Sequence, residues 1–299
     1  MKIDYGTKKI LIIEDQTIIR ETIKHILYTI GVRHIVEAST GINGIVEMRR
    51  SGFDIVLCDY NLGDGKNGQQ VLEEAKYFKL LPYNAIFIMI TVEHSKEMVL
   101  SALDCKPDDY LVKPFNRLQL SNRIERCIVR KEFLANVERE IDLGNIYLAI
   151  QNCEKLLQLP NKRNQLHVLR LRAELALMIG DYSSAKKVYQ NIMDERELPW
   201  AKLGLIVIEY FEGNFEYAVD ALKQLIEQNP MMLEAYDWLA KAYEALGNDL
   251  EALVTINLAI ELSPQTILRQ QRLASLADKT GNVDIARKAY KAAVKLAQV

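Results

Sequence analysis

Three acids, a threonine and a lysine stand directly behind short apolar runs. Glu14 and Asp15 follow KILII, Asp59 follows IVLC, Thr91 follows IFIMI, and Lys113 follows DYLV. Three carboxylates brought together repel one another and require a cation. Oxygen ligands without His or Cys select a hard ion such as Mg²⁺. A lysine and a hydroxyl beside them complete a site for a transferable phosphoryl group, whose charge the metal and Lys113 would neutralise while Thr91 bonds an oxygen. Asp59, the central acid, would then be the nucleophile that forms an aspartyl phosphate. Taken singly, these residues are ordinary turn formers and helix caps. Their recurrence at the ends of successive strand-like runs is what carries the reading.

The elements that must position them can be read from the same 115 or so residues. The apolar runs KKILIIE (8–14), HIVEA (34–38), FDIVLC (53–58), AIFIMI (85–90) and DYLV (109–112) are short and nearly continuous, as expected of strands buried on both faces. Between them, Ile18, Ile19, Thr22, Ile23, Ile26, Leu27 and Ile30 mark one helical face. Val71, Leu72, Ala75, Tyr77 and Phe78 mark another, and Met98, Val99, Ala102 and Leu103 a third. Strands alternating with helices predict an α/β fold, a doubly wound five-stranded parallel sheet. In such a sheet all the carboxyl ends share one edge, where ligands bind.

The chain of 299 residues is 49% hydrophobic, enough for two domains, and its net charge of −2 supplies no basic field for nucleic acid or an anionic membrane. Cys58, Cys105, Cys127 and Cys153 are scattered without ligand spacing, as are His25, His34, His94 and His167. With no apolar N-terminal run and no membrane-length one, the sequence reads as a cytoplasmic protein with reduced thiols.

From residue 129 the strand signal disappears and a repeat takes over. LGNIYLAIQ, IGDYSSAKK, EGNFEYAVD, LGNDLEALV and TGNVDIARK each place Ala five residues after Gly. Gly144, Gly180, Gly213, Gly247 and Gly281 are spaced by 36, 33, 34 and 34 residues, and Pro160, Pro199, Pro230 and Pro264 close most units. Each unit is a helix, a Gly-Asn turn and a second helix, and the small Ala permits close approach. The period predicts an all-α helical-repeat solenoid of about five hairpins. The chain thus divides into 1–128 and 129–299. Residues 117–144 hold neither Gly nor Pro before Gly144, so the last helix of the first part is expected to run on with little break.

Residues 8–128 resemble the receiver domain of two-component response regulators, with Glu14-Asp15, Asp59, Thr91 and Lys113-Pro114-Phe115 in order. The resemblance implies that Asp59 accepts a phosphoryl group from a histidine kinase or phosphotransfer protein. It implies that Asp15, Asp59 and the backbone carbonyl of Asn61 bind Mg²⁺ directly, with Glu14 acting through water. Thr91 and Tyr110 match the family's switch pair, and the Lys113–Pro114 bond is typically cis there. Two departures stand out. Gly63 replaces a frequent Pro, and a Gly arrives one residue late, at Gly68. Val92 follows Thr91 where Ala or Gly is common, and its bulk is expected to slow both arrival and hydrolysis of the phosphoryl group.

The second part resembles the tetratricopeptide repeat family. Unit four (233–264) matches most fully, through Tyr236, Leu239, Ala240, Tyr243, Gly247, Ala252, Ala259 and Pro264, while Asn136 and Arg172 occupy positions usually large and apolar. The family's concave-face positions fall on Trp200, Leu203, Val207 and Tyr210 in unit three, a stripe that either binds an apolar peptide or packs on a neighbouring helix. Together the two resemblances imply a non-enzymatic regulator, apart from the receiver's own phosphoryl transfer and autodephosphorylation. Phosphorylation of Asp59 would control protein–protein interaction through the repeats. The alternatives are a phosphate sink on a shared kinase and, against the charge, a nucleic-acid-binding regulator. The last repeat has no covering helix, so either the natural chain continues past Val299 or a homodimer covers that end.

Overall fold

A computed structural model describes residues 3–63, 65–92, 107–160, 164–264 and 266–298. The helix expected around Met98, Val99, Ala102 and Leu103 lies outside them, as do His94 and Cys105. The chain forms two compact units, one reaching to Ala135 and one spanning Asn136–Lys295.

The first unit holds strands β1 (Lys9–Ile13), β2 (His34–Ala38), β3 (Ile55–Asp59), β4 (Ile86–Thr91) and β5 (Asp109–Val112). They form one parallel sheet in the order β2-β1-β3-β4-β5. The order reverses beside β1, so the crevice between the ends of β1 and β3 is the switch point at which doubly wound sheets bind ligands. Helices α1 (Thr17–Thr29), α2 (Gly41–Arg50), α3 (Gly68–Tyr77) and α4 (Arg117–Asp142), with a short 3-10 helix at Tyr5–Thr7, complete the described part.

The apolar runs are nearly continuous because both sheet faces are covered. Leu11, Ile13, Val56, Cys58, Phe87 and Met89 point to one side and pack with Ile45, Met48, Val71 and Leu72 of α2 and α3. Ile10, Ile12, Ile55, Leu57, Ile88 and Ile90 point to the other, against Ile23 and Leu27 of α1 and Leu120 and Ile124 of α4. Each such side chain contributes about 1.5–3 kcal/mol by leaving water. The helical faces are narrower than the sequence pattern suggests. Ile18 is 83% exposed and Tyr77 80% exposed, and Phe78 is exposed as well. Only Ile23, Ile26 and Leu27 of α1, and Val71, Leu72 and Ala75 among the apolar residues of α3, are buried.

α4 is a single helix of 26 residues, as the absence of Gly and Pro predicts, and the division between the units falls inside it.

The second unit is a helical repeat. Its helices are the end of α4, then α5 (Ile146–Leu157), α6 (Gln165–Met178), α7 (Tyr182–Glu195), α8 (Pro199–Phe211), α9 (Phe215–Gln228), α10 (Leu233–Ala245), α11 (Asp249–Leu262), α12 (Ile267–Lys279) and α13 (Val283–Gln298). Every Gly turn closes the same way. Gly144, Gly180, Gly213, Gly247 and Gly281 have φ between 74 and 89°. The following Asn or Asp donates its N–H to a carbonyl five residues back, as Asn214 does to Glu209 at 2.9 Å. This is the left-handed helix ending that glycine adopts without penalty. In two units the turn Asn also bonds a helix-end carboxylate: Asn145 Nδ2 to Glu140 at 2.9 Å and Asn214 Nδ2 to Glu209 at 2.7 Å. Ala149, Ala185, Ala218 and Ala252 are fully buried where the paired helices touch. Ala252→Leu is therefore expected to force α10 and α11 apart at a cost of about 1–3 kcal/mol, read as a lower melting temperature by circular dichroism.

The stripe on α8 is not an open surface. Leu203 and Val207 are each 5% exposed and pack with Val219, Leu222 and Leu239. Trp200 meets Tyr189 edge-on at 6.2 Å between ring centroids, and Tyr210 meets Trp238 at 5.4 Å. Helices in an array are covered on more than one side, and here that covering uses the stripe itself. At the last pair, Ala286, Ala289 and Ala293 are buried, while Val283, Tyr290 and Val294 keep exposed surface.

Candidate functional site

Register alone brings the chemical residues to one edge. Ile13 pairs with Cys58, so Glu14 and Asp59 are the next residues on adjacent strands. Asp59 pairs with Ile90, placing Thr91 one step beyond, and Thr91 pairs with Val112, placing Lys113 one step beyond that. The Lys113 N–H donates to the Thr91 carbonyl at 2.7 Å, and the Lys113–Pro114 peptide is cis.

The side chains converge. Lys113 Nζ donates to Glu14 Oε2 at 2.6 Å and to Asp59 Oδ2 at 2.9 Å. Glu14 is fully buried, and Asp59 and Lys113 nearly so. Asp15 completes the group: carboxylate oxygens of Glu14, Asp15 and Asp59 lie within 4.8 Å of one another. Burial pushes the Glu14 carboxyl above the usual carboxylate range, and the Asp59 charge adds to it, against the opposing pull of the Lys113 hydrogen bond. Burial raises Asp59 as well, again opposed by Lys113. One lysine thus holds two acids whose charged forms are poorly solvated.

The donor set fits a small hard cation. Asp15 Oδ1 and Asp59 Oδ1 are buried without a hydrogen-bond partner among the described residues. An orphaned buried oxygen is costly unless something supplies positive charge. All available ligands are oxygens, with no His or thiol in the group, which suits Mg²⁺.

The loop after β3 is shaped for this edge. Gly63, with φ 69°, turns the chain so closely past the acids that a Cβ there would lie 3.4 Å from Asp15 Oδ2. α3 then starts at an Asn67–Gln70 capping box. The exposed Asn61 lies in this loop, two residues beyond Asp59. Thr91 is half-buried. Tyr110 pairs with Met89 across the sheet and packs on the cluster that includes Met89 and Val71. Val92 stands 57% exposed at the end of β4. The group Trp200, Leu203, Val207 and Tyr210 belongs to the second unit and to its packing.

One contributor carried no motif. Arg20, one turn into α1, donates from Nη1 to the carbonyl oxygen of Glu14 at 2.8 Å. A basic residue five positions after an acid pair is too common to single out from sequence, and its contact is to main chain.

Comparison with known proteins agrees with this architecture. Residues 10–125 match the family model "Response regulator receiver domain", and residues 203–266 and 270–299 match two tetratricopeptide repeat models. The chemotaxis protein CheY-3 of Vibrio cholerae serotype O1 is 28% identical over 122 residues, 41% of this chain and 92% of that protein. The chemotaxis protein CheY of Pseudomonas aeruginosa is 28% identical over 122 residues, covering 97% of its length. A CheY-like receiver domain structure from Methanospirillum hungatei JF-1 is 30% identical with a TM-score of 0.38, covering 42% of this chain and 96% of that one. A MamA structure from Desulfovibrio magneticus RS-1 is 17% identical with a TM-score of 0.44, covering 56% and 94% respectively. The Gly-turn geometry found in the matched repeats recurs unchanged at Gly144 and Gly180, ahead of them. Residues 10–125 are therefore a response regulator receiver domain, followed by tetratricopeptide repeats within residues 203–299.

Proposed function

We propose that phosphorylation of Asp59 controls a protein–protein interaction made by the repeats. The observation that carries this reading is the buried Lys113 bridging Glu14 and Asp59 beside two orphaned carboxylate oxygens. In the proposed reaction the Asp59 carboxylate attacks the phosphorus of a phosphohistidine on a kinase or phosphotransfer protein. An oxygen–phosphorus bond forms as the nitrogen–phosphorus bond breaks, and the histidine leaves with the nitrogen electron pair. Lys113 would stabilise the charge on the transferred group, and the Thr91 hydroxyl would bond one of its oxygens. Glu14, Asp15, Asp59 and the Asn61 carbonyl would hold Mg²⁺, which supplies further charge neutralisation when bound. In this reading Tyr110 would report the state of the site to the face of the sheet it packs on.

No described helix is long and apolar enough to cross a membrane. Repeats of this kind offer extended surfaces to protein partners, and a cytoplasmic regulator is the setting this reading implies.

In this reading the bulk of Val92 directly after Thr91 would obstruct the water that hydrolyses the acyl phosphate, which suits a switch better than a phosphate sink. Val92→Ala is expected to speed loss of the phosphoryl group several-fold, measured by the decay of the phosphorylated species after donor removal. An unchanged decay would remove this argument.

The functional reading is tested by affinity capture with the full chain as bait, before and after treatment with acetyl phosphate and Mg²⁺. Wild type should change its bound partners on phosphorylation while Asp59→Asn should not. Identical capture in all cases contradicts it.

A further inference from the structure

The turn between β1 and α1 carries Glu14 and Asp15, yet it lacks the usual fastening. Gln16, at the N-cap of α1, makes no side-chain capping bond. The Glu14 N–H is tied to the Ala38 carbonyl at 3.0 Å and the Gln16 N–H donates to Glu14 Oε1 at 3.3 Å, which fixes the start of the turn and the Glu14 side chain.

Arg20 reaches back over the remainder. Its Nη1 donates to the Glu14 carbonyl at 2.8 Å and to the Asp15 carbonyl at 3.4 Å, and its Nη2 to Thr17 Oγ1 at 3.3 Å. Its Nε lies 3.4 Å from Glu37 Oε2 on β2, and the other Glu37 oxygen accepts from Lys24 Nζ at 2.5 Å. The guanidinium side chain is only 15% exposed. A planar, rigid fork holds two consecutive carbonyls and an anchoring acid in fixed directions, whereas an ammonium on a flexible stem fixes no such geometry. Holding successive carbonyls fixes the peptide planes from which both acidic side chains project.

We propose that Arg20 is a positioning residue for metal binding: anchored on Glu37, it locks the β1–α1 turn so that Glu14 and Asp15 present their carboxylates to a divalent cation. This rests on the reading of the acidic pocket as a Mg²⁺ site. Groups that orient metal ligands without touching the metal commonly contribute 10–100-fold to affinity, so a loss of about tenfold or more is expected here.

The test is calorimetric titration of the full chain with MgCl₂ for wild type, Arg20→Met, Arg20→Lys and Glu37→Gln. Arg20→Met and Arg20→Lys should both weaken Mg²⁺ binding by about tenfold or more, and Glu37→Gln by less in the same direction. At saturating Mg²⁺ the variants should recover the wild-type rate of phosphorylation by acetyl phosphate, because the reacting groups are intact. Should Arg20→Met fail to fold, Arg20→Lys and Glu37→Gln decide the matter. Variants that melt earlier but bind Mg²⁺ as wild type does would reduce Arg20 to a structural role and overturn the inference. A wild-type chain with no saturable Mg²⁺ binding would overturn the metal reading, and this inference with it.

Discussion

Lys113→Ala is expected to lower the stability of the first unit by about 3–5 kcal/mol in the presence of a chelator. It should also slow phosphorylation of Asp59 by about a hundredfold or more, the usual cost of removing a preorganised donor from a developing anion. The stability loss arises because Lys113 Nζ bonds both Glu14 and Asp59 at 2.6 and 2.9 Å in a buried site. Its removal leaves two buried carboxylates facing each other. Both carboxyls are already raised above their ordinary range by burial. For an acid whose folded-state value is raised, the destabilisation is present at pH above that value and is relieved as pH falls through it. The deficit of Lys113→Ala relative to wild type should thus be greatest near neutrality and shrink in acid. Mg²⁺ should recover part of it by supplying the missing positive charge. Chemical denaturation with and without Mg²⁺ at several pH values checks all three statements, and a pH-independent deficit would contradict the electrostatic explanation.

Gly68→Ala should be the most disruptive single methyl addition in the first unit. A Cβ at Gly68 would lie 2.4 Å from the Asp59 carbonyl oxygen, 2.8 Å from Met89 Sδ and 3.0 Å from Tyr60 Cα. Two of those atoms are backbone at the end of β3, so no side-chain rotation relieves the clash. α3 must move away from the strand end, and overpacking of this kind costs about 1–3 kcal/mol or more. Since Asp59 is itself the contact, Mg²⁺ binding should weaken as well. Gly52 is the control, because a Cβ there meets nothing within 4 Å. Gly52→Ala should leave both melting temperature and Mg²⁺ affinity near wild type. Equal behaviour of the two variants would show that the close approach at Gly68 is not essential.

Much of this architecture is legible in the sequence because the physics is local or strictly periodic. Ile10 to Ile13 read as a strand buried on both faces, and parallel pairing then obliges Glu14, Asp59, Thr91 and Lys113 to share an edge. The five Gly-Asn or Gly-Asp turns are legible because only a glycine takes their positive φ without penalty. What escaped the sequence depends on depth and on main-chain geometry. Ile18, Tyr77 and Phe78 continue apolar helical faces, yet they are left exposed to solvent. Leu203 and Val207 satisfy a surface pattern and an interior one equally well, and the neighbouring helices decide for the interior. Arg20 acts on carbonyl groups, which leave no trace in a pattern of side chains. That Lys113 would bridge Glu14 and Asp59 at once follows only from the depth at which β5 ends.

The central claim is that the acidic edge is a Mg²⁺-dependent phosphoryl acceptor with Asp59 as its nucleophile. Its most direct test is intact mass measurement after incubation with acetyl phosphate, with Mg²⁺ or with excess chelator, for wild type and Asp59→Asn. The account predicts a single added phosphoryl group on wild type with Mg²⁺ and none in the other three samples. A single phosphoryl group that persists on Asp59→Asn, or on wild type without metal, would contradict it.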